Sequence, residues 1–522
     1  MVQASKLNIQ TNASAMQMAN AIFGDGVTIV NASYTGSGYS SGIFTGGNAT
    51  SPGVVPSDSG VILSTGRASD FTNSKGNANQ SGWTSTNSKG PNGDPDFNAL
   101  AGTQTYDASF LEATFVPTGD TLTMQFVFSS EEYPEYINSI YNDVVGVWVN
   151  GQPAELSVGG TPSIGSVNTA VNQNLYVDNT GSQYNTEMDG FTVTMTLKMK
   201  VIPGQQNTIK IGIADVGDSV YDSNLLIAAD SVQTAFIAGD DTVNVVPGGT
   251  KTVDVLANDG GNGATLTITH INGIPVVAGD TVTLTTGQQV TLNADGTFTV
   301  VADADTETVN FTYTVDDGQG HTDTAFVVVN SVPCFARGTR IETPEGLRPI
   351  ETLSAGDLVV TRDGGPRPIR WIGSRQVSAT GKFAPVRIEA GALGQHGTLW
   401  LSPQHRVKIG GALCELMFSS EEVLVPAIAL VNGRTITIER DWETVEYWHI
   451  LLDRHEVVLA EGLEVETLLP GPELRRSVDP DAAEEIFSLF PELRRASAPG
   501  WHAARPALRR TEAAALANRL LA

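Results

Sequence analysis

From the start to about position 470 the chain is written in short alternating runs, each stopped by glycine, asparagine, aspartate or serine. "TLTMQFVF", "DVVGVWVNG", "GFTVTMTLKMKVIPG" and "QQNTIKIGIADV" are examples. Alternation of apolar and polar residues with period two marks a strand with one buried face, and turn residues at this spacing favour sheets joined by tight loops. Helical periodicity is confined to "NASAMQMANAIFG" and to the C-terminal segments "DAAEEIFSLFPELRRAS" and "TEAAALANRLLA", where Asp479 or Asp481 can cap. The expected fold class is therefore all-β, and 522 residues suffice for three or four domains.

Composition shifts divide the chain. Residues 1–238 are expected to form a two-sheet β-sandwich. Residues 239–331, from "GDDTVNVVPGGTKTVDVLANDGG" to "FTYTVDDGQGHTDTAFVVV", have the strand and turn spacing of an Ig-like sandwich. Residues 332–470 are expected to form a compact all-β unit, and 471–522 a helical tail. Residues 1–333 hold 8 basic against 32 acidic side chains, a net of −24, whereas the remainder holds 22 against 25, a net of −3. An acidic, Lys/Arg-poor β protein is a poor match for nucleic acid, whose phosphates need a basic face. It suits an extracellular protein that holds Ca²⁺ through oxygen ligands. No run of about 18 apolar residues marks a membrane span. The start lacks the basic and apolar regions of a signal peptide, so export is expected by a route without one. Two cysteines, Cys334 and Cys414, are not a disulfide framework. Cys414 reads as a buried apolar thiol; Cys334 stands at a domain start.

Motifs refine this division. "GVILSTG" from Gly60, "GDPDFNAL" from Gly93, "FVFSSEEYPEY" from Phe126 and "IADVGDSVYDSNLLI" from Ile213 follow one another in an order that resembles the choice-of-anchor L domain. That resemblance implies a secreted or surface-attached bacterial protein. Glu131 and Glu132 are candidate Ca²⁺ ligands with Asp143, Asp94 or Asp96; the alternative is a solvated acidic loop. The second unit resembles the cadherin-like and Ig-like modules of bacterial adhesins. Asp240, Asp241, Asp259, Asp316 and Asp317 are its candidate Ca²⁺ ligands, although Asn-Asp-Gly and Asp-Asp-Gly also build turns unaided.

Chemistry concentrates at Cys334. For its thiol to attack the carbonyl of Pro333, the sulfur must lose a proton, and a free Cys with a pKa of about 8.5 is only slightly ionised at neutral pH. The amide must lose resonance, and a twist of about 12° in ω already costs about 1 kcal/mol. The leaving nitrogen must be protonated, most often by His. "TLWLSPQHRVKI" supplies Ser402-x-x-His405, a hydroxyl and an imidazole able to converge on one amide. A domain-initial Cys followed by this motif resembles the Hint fold of hedgehog autoprocessing domains and inteins. "CFARGTRIETPEG" with "LSAGDLVVTRDG", then "GTLWLSPQHRV", then "VEYWHILLDRHEVVLAEGLEVETLLPG" carry the resemblance. By it Cys334 is the nucleophile, His405 the acid toward the scissile nitrogen, and Ser402 the group that binds or distorts the Pro333–Cys334 amide. His449, His455 and Asp453 are candidate supporting residues; Asp357 reads as a turn former, and Trp371 and Trp400 as core aromatics. Inteins end in His-Asn, but Glu466 and Thr467 occupy those places here. The expectation is therefore N-terminal cleavage without splicing, needing no cofactor. The thioester would be opened by water, an amine or a hydroxyl.

Two functions compete. One is a single-turnover self-cleaving protein that releases or attaches its β modules; an intermolecular protease is a weaker variant, since the mechanism gives one turnover per chain. The other is a non-enzymatic surface adhesin, binding a cell-surface or matrix ligand, with an inactive Hint unit.

Overall fold

The computed structural model describes residues 2–137, 139, 141–158, 162–169, 171–245, 249–260, 265–302, 309–330, 334–379, 384–403, 405–418, 420–468, 503–508 and 510–520. The chain separates into two compact units: residues 1–241, 252–300 and 309–328, and residues 242–251, 301–308 and 329–522. Strands dominate both.

In the first unit the long strands Thr105–Pro117, Thr121–Ser130 and Asn207–Val216 organise a sandwich. The eight-stranded sheet centres on Ser59–Ser64, Ser223–Ala228 and Thr121–Ser130, and the facing five-stranded sheet on Thr105–Pro117, Asn207–Val216 and Val144–Val149. Phe126, Phe128 and Leu225 from one sheet meet Leu111, Ile211 and Val147 from the other in one core. Burial of each such side chain contributes roughly 1.5–3 kcal/mol. Ala15–Ile22 is helical where period 3.6 appeared. Ser14 and Gln17 form its capping box, with the Gln17 N–H on Ser14 Oγ at 3.3 Å and the Ser14 N–H on Gln17 Oε1 at 2.8 Å. A second helix, Pro95–Ala101, is capped by Asp94 and closed by left-handed Gly102 at φ 69°. The Ig-like part places Thr322–Asn330 and Val309–Asp316 beside Thr267–Ile271, with Phe298–Val301, Gln289–Leu292 and Thr281–Thr283 in a second sheet.

The second unit contains two six-position strand paths. One runs Trp371–Ser378, Thr444–Leu451, Phe335–Ala336, Leu399–Leu401, Val386–Ile388, Ile436–Ile438. The other runs Gly346–Pro349, Arg340–Thr343, Val457–Ala460, Leu463–Glu466, Arg406–Gly410, Glu422–Pro426. The hairpin Leu358–Thr361 with Gly365–Pro368 joins the second path at Val458. Phe335, Ile341, Leu401, Val407, Val458 and Val465 share its core. Helical turns interrupt the strands at Ala412–Phe418, and a helix spans Arg510–Leu520. Of the expected helical tail, residues 471–502, 509, 521 and 522 lie outside the described residues. No helix among the described residues is long and apolar enough to cross a membrane.

Candidate active site at Cys334

Strand register assembles the site. Phe335 pairs with Leu401 on one side and with Trp448 on the other, both antiparallel. Stepping back one residue sets Cys334 between Ser402 and His449. The contacts follow: the Cys334 N–H donates to Ser402 Oγ at 2.9 Å, and the Ser402 N–H donates to Cys334 O at 2.9 Å. Cys334 Sγ lies 3.6 Å from His449 Nε2. The thiol is buried in a small apolar cluster with Ala336, Ala379, Val445 and Tyr447, flanked by Trp400 and Trp442. Burial, then the neighbouring Cys334, raises the Tyr447 phenol.

His405 reaches the site through a turn closed by its own N–H on Ser402 O at 3.0 Å. Its ring packs edge-on against Phe335, centroids 4.3 Å apart. Nε2 lies 2.9 Å from the Glu466 carbonyl oxygen. A carbonyl only accepts, so Nε2 carries the proton and, in the neutral ring, Nδ1 holds the lone pair. Nδ1 is buried and has no hydrogen-bond partner among the described residues. Burial lowers the His405 pKa; the Glu466 carboxylate and the backbone of Cys334 oppose this without reversing it. Glu466 is itself buried, which pushes its carboxyl up, but Arg406, His455 and His405 outweigh burial and hold it below the ordinary range. The Glu466 Oε1 accepts from the Arg406 N–H at 3.1 Å.

The remaining candidates divide. His455 is buried away from the thiol, with Nδ1 accepting from the Ala504 N–H at 2.9 Å and Nε2 3.4 Å from Glu466 Oε2. Among the described residues it meets the site through Glu466. Asp453 is half-exposed and paired with Arg370, and Asp357 pairs with Arg348 while accepting from the Ser354 N–H. Thr467 Oγ1 is engaged with the Glu456 backbone. Pro333, the acyl side of the bond, lies outside the described residues. Glu466, which motif reading treated only as a departure, meets His405 through its backbone carbonyl, a contact side-chain identity does not encode.

The candidate calcium ligands are scattered. Asp94 and Asp96 both pair with Lys210. In the Ig-like part Asp240 pairs with Lys198, and Asp241 and Asp259 accept from the Tyr313 hydroxyl. Asp316 closes a turn on the Gly318 N–H, and Asp317 holds His321. Asp143 accepts from the Val216 N–H and the Ser223 hydroxyl, and Glu132 Oε2 from the Asp143 N–H at 3.4 Å. Among the described residues no group of three or more His, Cys, Asp or Glu side chains stands ready-made to hold a metal ion.

Three family models match the chain. A family model for the choice-of-anchor L domain matches residues 6–233, one for a bacterial Ig domain residues 233–330, and one for the Hint domain residues 333–472. No curated protein matches. Among solved structures, the crystal structure of the gp41-1 intein is 13% identical over 26% of this chain and 97% of its own, with a TM-score of 0.18. A bacterial intein-like domain from Clostridium thermocellum is 17% identical over 26% and 97%, with a TM-score of 0.18. The M60 catalytic domain with two CBM51 domains from Clostridium perfringens is 8% identical over 70% and 34%, with a TM-score of 0.14. The chain thus carries, in order, a choice-of-anchor L domain, a bacterial Ig domain and a C-terminal Hint domain.

Proposed function

We propose that the Hint domain cleaves its own chain between Pro333 and Cys334 by an N–S acyl shift, releasing or attaching the β modules that precede it. The thiol proton passes to His449 Nε2 and sulfur bonds to the Pro333 carbonyl carbon. His449 passes that proton on to His405 Nδ1, and the C–N bond breaks as the nitrogen takes it from the resulting imidazolium. The net transfer is one proton from sulfur to nitrogen, and the products are a thioester on Cys334 and its free amino group. Water, an amine or a hydroxyl then takes the acyl group and restores the thiol.

One observation carries this reading: Cys334 is gripped at its amide N–H by Ser402 while its sulfur faces His449. His405, neutral at rest because burial lowers its pKa, has its one lone pair at Nδ1. The choice-of-anchor L domain supports a surface or secreted location.

Burial of the thiol favours a second reading. Cys334 is only 7% exposed, so a large acceptor cannot reach it unaided, and a Hint unit that merely supports a surface adhesin would look the same. Mass spectrometry of the full chain, with and without hydroxylamine, beside Cys334→Ala separates the two. A fragment ending in a Pro333 hydroxamate, formed only with Cys334 present, is the expected result. An intact wild-type chain under every condition overturns the cleavage reading and leaves the adhesin.

A further inference from the structure

One end of the eight-stranded sheet holds buried acid that no basic side chain among the described residues answers. Gly190 and Ser223 both pair with Ser130. One residue further on, Asp189, Glu131 and Asp222 come side by side, and the Glu131 N–H donates to Asp222 O at 3.2 Å. Cross-strand partners share a face, as do residues two apart on a strand. Ser129 and Asn224, themselves partners, therefore form the next row beneath.

Glu131 is 2% exposed. Neither of its carboxylate oxygens has a hydrogen-bond partner among the described residues, and Asp222 Oδ2, Ser129 Oγ and Asn224 Oδ1 are buried in the same condition. Thr84 lies near Glu131 without completing a hydrogen bond. Backbone and amide groups from the segment 79–86 engage other oxygens of the row. The Asn79 Nδ2 donates to Asp189 Oδ1 at 2.7 Å, the Gln80 N–H to Glu187 Oε2 at 2.8 Å and the Thr86 N–H to Asp222 Oδ1 at 2.6 Å. Burial first, then Asp189, Glu187 and Asp222, push the Glu131 carboxyl up to about 9, and burial pushes Asp222 up to about 7. Buried charge without a counter-charge is costly. Several hard oxygens with a surplus of negative charge are the donor set that Ca²⁺ selects.

We propose that Glu131, Asp222 and Asp189, with Glu187, bind a calcium ion at this end of the choice-of-anchor L sheet. Among the described residues no three such side chains stand as placed to hold an ion, so on this proposal binding requires the carboxylates to draw together. Glu132 and Asp143, which share an acidic stretch with Glu131, are engaged with each other, Ser223 and Val216 instead. Trp83 in the covering segment is 76% exposed, with its ring tilted against Tyr221 at a centroid distance of 6.0 Å, which makes it a reporter of the ion.

The test uses the full chain carrying Cys334→Ala, so that cleavage does not enter the result. After chelator treatment it is titrated with CaCl₂ by calorimetry near neutral pH, with tryptophan fluorescence followed in parallel and the Trp83 share of the seven tryptophans isolated by Trp83→Phe. Glu131→Gln and Asp222→Asn are compared with Asp259→Asn in the Ig domain, circular dichroism confirming that each is folded. Saturable uptake, weakened about 10- to 100-fold or more by either sheet-end change and unchanged by Asp259→Asn, is expected. Absence of uptake by the parent chain, or uptake that survives both sheet-end changes, overturns the site. Each change removes charge from a crowded acidic row, and if one variant fails to fold the other still decides.

Discussion

Ser402 holds Cys334 from both directions, accepting its N–H and donating to its carbonyl. The first contact is the one that bears on the scissile nitrogen. Ser402→Ala is expected to slow fragment formation by up to about tenfold, the worth of one hydrogen bond of about 0.5–1.5 kcal/mol, and Ser402→Thr to restore most of it. His405→Gln removes the proton donor and is expected to cost about 10²–10⁴ in rate. Both are read from fragment yield against time. A different residue sets a pH response. Asp323 is fully buried between the choice-of-anchor L and Ig domains, where Thr196, Ala238 and Thr324 donate to it. Burial outweighs these donors and Lys198 and pushes its carboxyl up to about 7. A carboxyl with a raised folded-state pKa gives stability that is whole below its unfolded value of about 3.9 and is lost as pH rises through about 7. The stability difference between wild type and Asp323→Asn, measured by urea unfolding, should therefore fall across that window.

At the scale of elements, Leu401 ties the site to the core. It is fully buried, pairs with Phe335 and Val386, and precedes Ser402. Leu401→Ala is expected to destabilise the Hint domain by about 2–5 kcal/mol and to lower cleavage beyond what unfolding explains, since Ser402 loses its anchor. Gly60 shows the opposite constraint: an added Cβ would meet Ile227 O at 2.0 Å. Gly60→Ala should lower the melting temperature of the first unit, by an overpacking cost of about 1–3 kcal/mol or more. Strands such as Asn207–Val216 were legible because alternation is a local pattern, as was the helix Ala15–Ile22. The helix Pro95–Ala101 escaped because seven residues are too few for a period, although its Asp-Pro start and Gly102 stop were written plainly. The motif letters named Cys334, Ser402, His405 and His449. What they did not carry was the pairing of Phe335 with Trp448, a contact between strands far apart in the chain. Asp189 and Asp222 were illegible for the same reason, since each meets Glu131 only through register.

At the scale of the whole molecule, net negative charge and chemistry are kept apart: residues 1–333 carry 8 basic against 32 acidic side chains, a net of −24, whereas the remainder carries 22 against 25, a net of −3. Self-cleavage by one chain acting on itself should be first order, so the half-time should not change over about a hundredfold dilution, as intramolecular attack requires. Gel densitometry at constant acceptor concentration checks this; a rate that falls with dilution would mark attack by one chain on another. The position of Cys334 adds a consequence. It heads a strand, Phe335–Ala336, that is flanked on both sides by Leu399–Leu401 and Thr444–Leu451. On the proposed chemistry the newly freed amine cannot drift off, because its own strand is pinned between two others. Amine and thioester stay neighbours, and the bond can re-form as readily as it broke. The domain would then idle reversibly, and the supply of an acceptor, rather than elapsed time, would decide when the break becomes permanent.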